Sequence, residues 1–378
     1  MTARNMRRRG WMAWALAGSV LVPAAASAGA PERAFLPGVR HHLTLESTVP
    51  PNGDQNPYGI VVAPVSAGRI NKGDVLVSNF NDARNLQGRG TTIVDYSPAT
   101  KQVSVFARID HKLPGCPGGV GLTTAITMLK SGWVIIGSFP SEDGTTATKG
   151  PGCLIVLNPQ GTVSGTISGP KIDGPWGNIA TLDDGDRATL FVSNAGFGIG
   201  APTEASPVVR KATVLRLSLT IPPGEAPVVS GETVIGDGFG EQADRSVFVI
   251  GPTGLALAPG GDLYVSDALG NRIARIADAL TRSDSASIGS TVTSAGLLQR
   301  PLALALTPDG HLLTVNGLNG QVVEVDPATG QQLGARWIDA DKAQQPPGSG
   351  DLFGIAMTPD GGGFYYVKDD DNTLVLAR

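Results

Sequence analysis

Gly254-Leu-Ala-Leu-Ala258, Pro259-Gly260-Gly261, Leu263-Tyr-Val-Ser-Asp267, Asn271-Arg-Ile-Ala-Arg-Ile276 reads as three short strands with their turns. The first run is small and apolar. The Pro-Gly-Gly after it presets one turn dihedral and supplies a positive φ for the next, and the second run ends in an Asx residue suited to a tight turn. Related stretches begin near Tyr58-Gly59-Ile60-Val61, Gly121-Leu122-Thr123-Thr124, Gly177-Asn178-Ile179-Ala180, Ala303-Leu304-Ala305-Leu306 and Gly354-Ile355-Ala356-Met357. Repeats of roughly 50 to 75 residues, each of several short strands, mark a propeller, because one small sheet cannot bury both faces alone. The chain is expected to be all-β, a six-bladed β-propeller of four-stranded blades.

Composition agrees with stacked sheets. Of 378 residues, 51 are Gly and 28 are Pro, more than long helices tolerate, and the charged fraction of 16% suits strands buried on both faces. The sixth repeat runs out of chain at Arg378 before a fourth strand, and His42-Leu43-Thr44-Leu45-Glu46 alternates and can supply it. A ring closed by this N-terminal strand loses two open sheet edges.

Residues 1–28 read as a signal peptide: Arg4 and Arg7-Arg8-Arg9, an apolar stretch from Trp11 to Ala25, and the small-x-small site Ala26-Ser27-Ala28. The mature domain then spans 29–378. Arg8-Arg9 loosely fits a twin-Arg signal, but Arg7 stands where Ser or Thr is expected, which favours the general secretory route. Removing four Arg and no acid takes the net charge from −4 to −8. An acidic exported monomer without a Lys/Arg cluster is a poor partner for nucleic acid, and it has no span to insert in a membrane once the signal is gone. Its place is periplasmic or extracellular. There the two cysteines, Cys116 and Cys153, are expected to form a disulfide, since they fall on one face of the second blade.

The stretch Gly254 to Asp267 followed by Asn271-Arg272-Ile273 closely resembles the NHL repeat, with a Gly-led apolar strand, a Gly turn, a Tyr-Val strand ending in Asp, and then Asn-x-Arg-Ile. The match is partial in the fifth and sixth repeats and loose in the first three. The resemblance implies a six-bladed NHL-type propeller, in a superfamily that also holds gluconolactonase-like and strictosidine-synthase-like enzymes. Gluconolactonase-like propellers hold a divalent cation with a Glu at the first inner strand plus an Asn and an Asp from later blades. Here the first place reads Asn56-Pro57-Tyr58-Gly59, without Glu, and Asn178 and Asp267 only approximate the others.

The residues ending the second strand of each repeat are Asn79, Ser138, Asn194, Asp267, Asn316 and Asp369, all projected toward one rim. Asx side chains there cap turns by accepting backbone N–H groups, and an oxygen-donor site for Ca²⁺ or another divalent cation is the alternative, with Asn178, Asn194 and Asp267 as its candidate ligands. Asn56, Tyr58 and Trp176 lie in loops leading into inner strands on the same rim and join the strand-end Asx set as ligand-binding candidates. No Ser/His/Asp arrangement and no phosphate-binding Gly loop is present. The expected function is binding of a small molecule, glycan or partner protein on the loop-rich face; the alternative is a metal-assisted hydrolase or lyase, with its catalytic residues unknown.

Overall fold

The small apolar repeats converge on one axis, each as the innermost strand of a blade. The computed structural model describes residues 34–378, besides Met1 and Thr2; the signal segment and the cleavage before Gly29 otherwise lie outside the described residues. Residues 34–378 form six antiparallel sheets arranged as a six-bladed propeller. The inner strands are Gln55–Val62, Leu122–Met128, Ala180–Asp183, Pro252–Leu257, Pro301–Leu306 and Leu352–Met357. The second strands are Val75–Asn81, Val134–Ser138, Arg187–Asn194, Leu263–Asp267, Leu312–Asn316 and Phe364–Lys368.

Close approach at the axis depends on glycine. A Cβ on Gly177 would lie 1.4 Å from the carbonyl oxygen of Thr253 in the next inner strand, and one on Gly254 would lie 2.4 Å from that of Leu302. The contact is then fastened by hydroxyls. Ser78 Oγ accepts from Gly59 N (3.0 Å) and donates to Thr123 O of the next blade (2.8 Å). Ser193 repeats this with Gly177 N and Thr253 O, and Ser266 with Gly254 N and Leu302 O. In blade two Gly137 replaces the serine, and Thr123 Oγ1, lying against it, reaches Pro175 O (2.7 Å).

The ring closes as expected. His42–Ser47 pairs antiparallel with Thr373–Ala377, from His42 opposite Ala377 to Ser47 opposite Thr373. Upstream, buried Glu324 in blade five accepts the backbone N–H groups of Phe35 (2.7 Å) and Leu36 (2.9 Å), and its Oε1 lies 2.7 Å from His311 Nδ1. The Cys116–Cys153 disulfide is present, with Cα atoms 5.4 Å apart.

Blade three carries an addition to the repeat, and one stretch departs from the sequence reading. The third blade has its four strands, but Val209–Thr220 and Val228–Asp244 run on past the usual blade length and Phe248–Ile250 pairs as a short added strand with the end of the latter. The stretch 276–282, whose sequence suggests a short helix, is the end of a strand at Ile276 followed by turns over 277–281: Asp278 takes a left-handed φ of 53° and its N–H is held by Asp262 Oδ1.

Deleting residues 42–47 should lower stability by about 3 kcal/mol. Most of the strand's side chains are exposed, so the cost lies in lost ladder bonds and Leu45 packing rather than deep burial. Thermal unfolding checks this, and an unchanged melting temperature would contradict closure through this strand.

Candidate functional site

The residue before each inner-strand glycine points toward the axis on the rim where the second strands end. In blades one, three and six that residue is aromatic: Tyr58, Trp176 and Phe353. Phe80 and Phe139 enter beside the Asx or Ser that closes the second strand in blades one and two, and the extended third sheet delivers Phe248. Tyr58 stacks on Phe353 at 3.8 Å and on Phe80 at 4.7 Å between centroids. Trp176 meets Phe80 edge-on at 5.3 Å, and Phe248 meets Phe139 edge-on at 5.2 Å. All six are buried. Offset and edge-to-face pairs of this kind are favourable beyond the area they bury, so the axial mouth is an apolar plug.

Phe248 sits at φ 67°, an unusual value for a bulky residue, in a three-residue turn closed by Val249 N to Val247 O at 2.8 Å. Burial among rings and pairing with the third sheet hold it there. Burial also pushes the Tyr58 hydroxyl well above the ordinary tyrosine range, with nearby Asp369 adding to the effect.

The expected ligand residues are mostly committed to the protein itself. Asn178 stands inside the ring as a bracket: its Nδ2 donates to Leu255 O (2.7 Å) and its Oδ1 accepts from Leu255 N (3.2 Å) and Leu304 N (3.3 Å), tying blade three to blades four and five. Asp267 Oδ2 pairs with Arg272 Nε at 2.9 Å, and its Oδ1 caps Gly270 N at 3.0 Å. Arg272 goes on to Thr291 Oγ1 and Ile288 O, so this buried pair holds three strands of blade four together. Asn79 donates to Thr48 O, and Asn316 donates to Leu297 O while accepting from Gln299 N. Asn56 takes a left-handed φ of 64° and donates its N–H to Asn372 Oδ1, which secures the closing turn. Asn194 is different, since among the described residues both its side-chain atoms are buried without a hydrogen-bond partner.

Asp369 follows the end of its strand rather than closing it. Its carboxyl is pushed far above the usual carboxylate range by burial, and then by neighbouring Asp351 and Asp370. Asp351 is likewise raised to about 7 by burial and by Asp370 and Asp339. In sequence the run 369–372 looks like solvated charge, but Asp339 and Asp351 return to the same place from other loops.

Open volume lies off the axis. A groove of about 770 Å³ runs along the loop-rich rim between blades one and two, lined by Arg89, His111, Lys112, Cys116, Ser141 and Glu142 among others. Arg89 is engaged with Asp82 Oδ2 (3.2 Å) and with the carbonyls of Ser141 and Glu142. Among the described residues Lys112 forms no ion pair. The disulfide and Pro114, Pro117 and Pro140 stiffen the groove.

The fold is shared with solved propellers of low sequence similarity. A provisionally assigned gluconolactonase is 16% identical with a TM-score of 0.53, covering 92% of this chain and 96% of that one. A gluconolactonase from Xanthomonas campestris is 14% identical, TM-score 0.52, over 90% and 89%. A luciferin-regenerating enzyme is 11% identical, TM-score 0.55, over 89% and 95%. At these identities the likeness concerns architecture. No known family's sequence pattern matches the chain, the NHL repeat included, and no curated protein sequence matches it.

Glu241, carried by the extended third sheet, provides a pH test. It is fully buried, it accepts N–H bonds from Gly196 and Phe197, and burial still pushes its carboxyl up to about 7. A raised carboxyl pKa stabilises the fold below the unfolded value, near 4.5, and that contribution is lost as pH rises through about 7. Glu241→Gln cannot ionise. Its stability relative to the parent should therefore improve by about 3 kcal/mol between acidic and mildly alkaline pH; denaturant melts giving a pH-independent difference would refute the assignment.

Proposed function

We propose that this chain is an exported binding scaffold whose ligand, an acidic glycan or small carboxylated molecule, occupies the off-axis groove between blades one and two. The observation that carries the reading is the contrast between a mouth filled by six aromatic residues and a preformed groove of about 770 Å³, within the size range of small-molecule sites. Lys112 is a local cation without an ion partner among the described residues of a net acidic chain, and His111 beside it adds a donor. A groove stiffened by proline and a disulfide loses little freedom when it is filled. Export is supported by the disulfide and by the leader composition, and among the described residues no helix is long and apolar enough to cross a membrane.

The metal-assisted hydrolase or lyase reading finds less support. Tyr58 stands near the place where the resemblance would put a carboxylate, and it is stacked into the plug. Asn178 and Asp267 spend their donors and acceptors on backbone and on Arg272.

The test uses exported protein, whose intact mass should correspond to a start at Gly29, screened on an array of uronic-acid glycans and carboxylated sugars. Lys112→Ala should weaken the best binder at least tenfold with an unchanged melting temperature. Retained affinity in that variant would move the site out of the groove, and cation-stimulated lactone hydrolysis by the parent would favour the enzyme reading.

A further inference from the structure

Asp339, Asp351 and Asp370 come from three separate segments: the end of blade five, the entry to the inner strand of blade six, and the turn after that blade's second strand. One carboxylate oxygen of each lies within 4.8 Å of the other two. Asp339 is 3% exposed and Asp351 5%; among the described residues Asp351 Oδ2 is buried without a hydrogen-bond donor, and Asp339 Oδ2 meets only the Lys368 ammonium. Asp339 Oδ1 is already used, accepting Asp341 N at 2.9 Å, which leaves Oδ2 for the cluster.

Among the described residues one cation stands in this cluster. Lys368 Nζ lies 2.5 Å from Asp371 Oδ2, 3.2 Å from Asp339 Oδ2 and 3.9 Å from Asp370 Oδ1. A single ammonium among Asp339, Asp351, Asp370 and Asp371 leaves an excess of negative charge, and buried charge is costly unless it is paired.

We propose that Asp339, Asp351 and Asp370 form a Ca²⁺ site that ties the closing blade to blade five. Carboxylates from three segments, with loop carbonyls and water to complete the shell, suit a hard cation of flexible geometry better than Mg²⁺, which demands a near-ideal octahedron. The long Lys368 stem allows its ammonium to move outward to Asp371, its nearest and most exposed partner. The location gives the ion a purpose. In the same turn Asn372 accepts Asn56 N through Oδ1 (2.6 Å) and Thr48 N through its carbonyl (2.8 Å), so an ion here fixes the seam where the chain's two ends meet.

The experiment is calorimetric titration of metal-stripped mature protein with CaCl₂, paired with thermal melts. One site with a Kd of roughly 0.1 to 1 mM is expected, typical of extracellular modules, together with a melting temperature a few degrees higher at about 10 mM Ca²⁺. MgCl₂ should give a smaller shift. Asp351→Asn should abolish both the heat and the shift while leaving the metal-free melting temperature unchanged or higher, since it removes an uncompensated charge. No heat with the unsubstituted protein would overturn the proposal whether or not the variants fold, and so would undiminished binding in both Asp351→Asn and Asp339→Asn.

Discussion

Six inner strands have to share one axis, and the structure depends on how that crowding is met. Glycine at positions such as Gly177 and Gly254 removes the Cβ that would collide with the next blade, and serine hydroxyls then bridge the gap by accepting from one strand and donating to the next. Each bridge satisfies a backbone N–H and a carbonyl that the blade's own ladder leaves over, where an unpaired buried group would cost roughly 1 to 3 kcal/mol. Asn178 extends the same solution across the ring, reaching two further blades with one amide.

The same packing decides where ligands can go. With glycine letting the blades close up, the side chain before it is carried to the axis, and in three blades that side chain is aromatic. The extended third sheet adds Phe248 from the rim. A mouth assembled this way is filled with rings, whereas the loops between blades one and two leave a groove. The acid cluster at the seam is the counterpart on the polar side: three loops meet there, and Asp351 Oδ2 finds no donor.

Much of this was legible in the sequence because the repeat is a register as well as a count. Cys153–Leu157, Arg272–Ile276, Gln321–Val325 and Thr373–Ala377 are strands at the bounds the repeat implies. The disulfide and the closing strand followed from positions within it. Blade three was less legible, since Gly236, Gly238 and Gly240 interrupt the apolar pattern of a strand held by pairing rather than propensity. The aromatic plug was missed for another reason. Each ring was weighed within its own blade, although an aromatic-Gly pair recurs at Tyr58-Gly59, Trp176-Gly177 and Phe353-Gly354. Nor does local spacing show that Asp339, Asp351 and Asp370 meet, because each lies in a different segment.

Native-state hydrogen exchange at the amides of Gly59, Gly177 and Gly254 tests the central claim most directly, because these N–H groups are donated to the bridging serines. If crowding and bridging make the ring one cooperative unit, all three should exchange only through global opening, with the same free energy and the same denaturant dependence. Distinct free energies, with one blade opening well below the global value, would contradict the account.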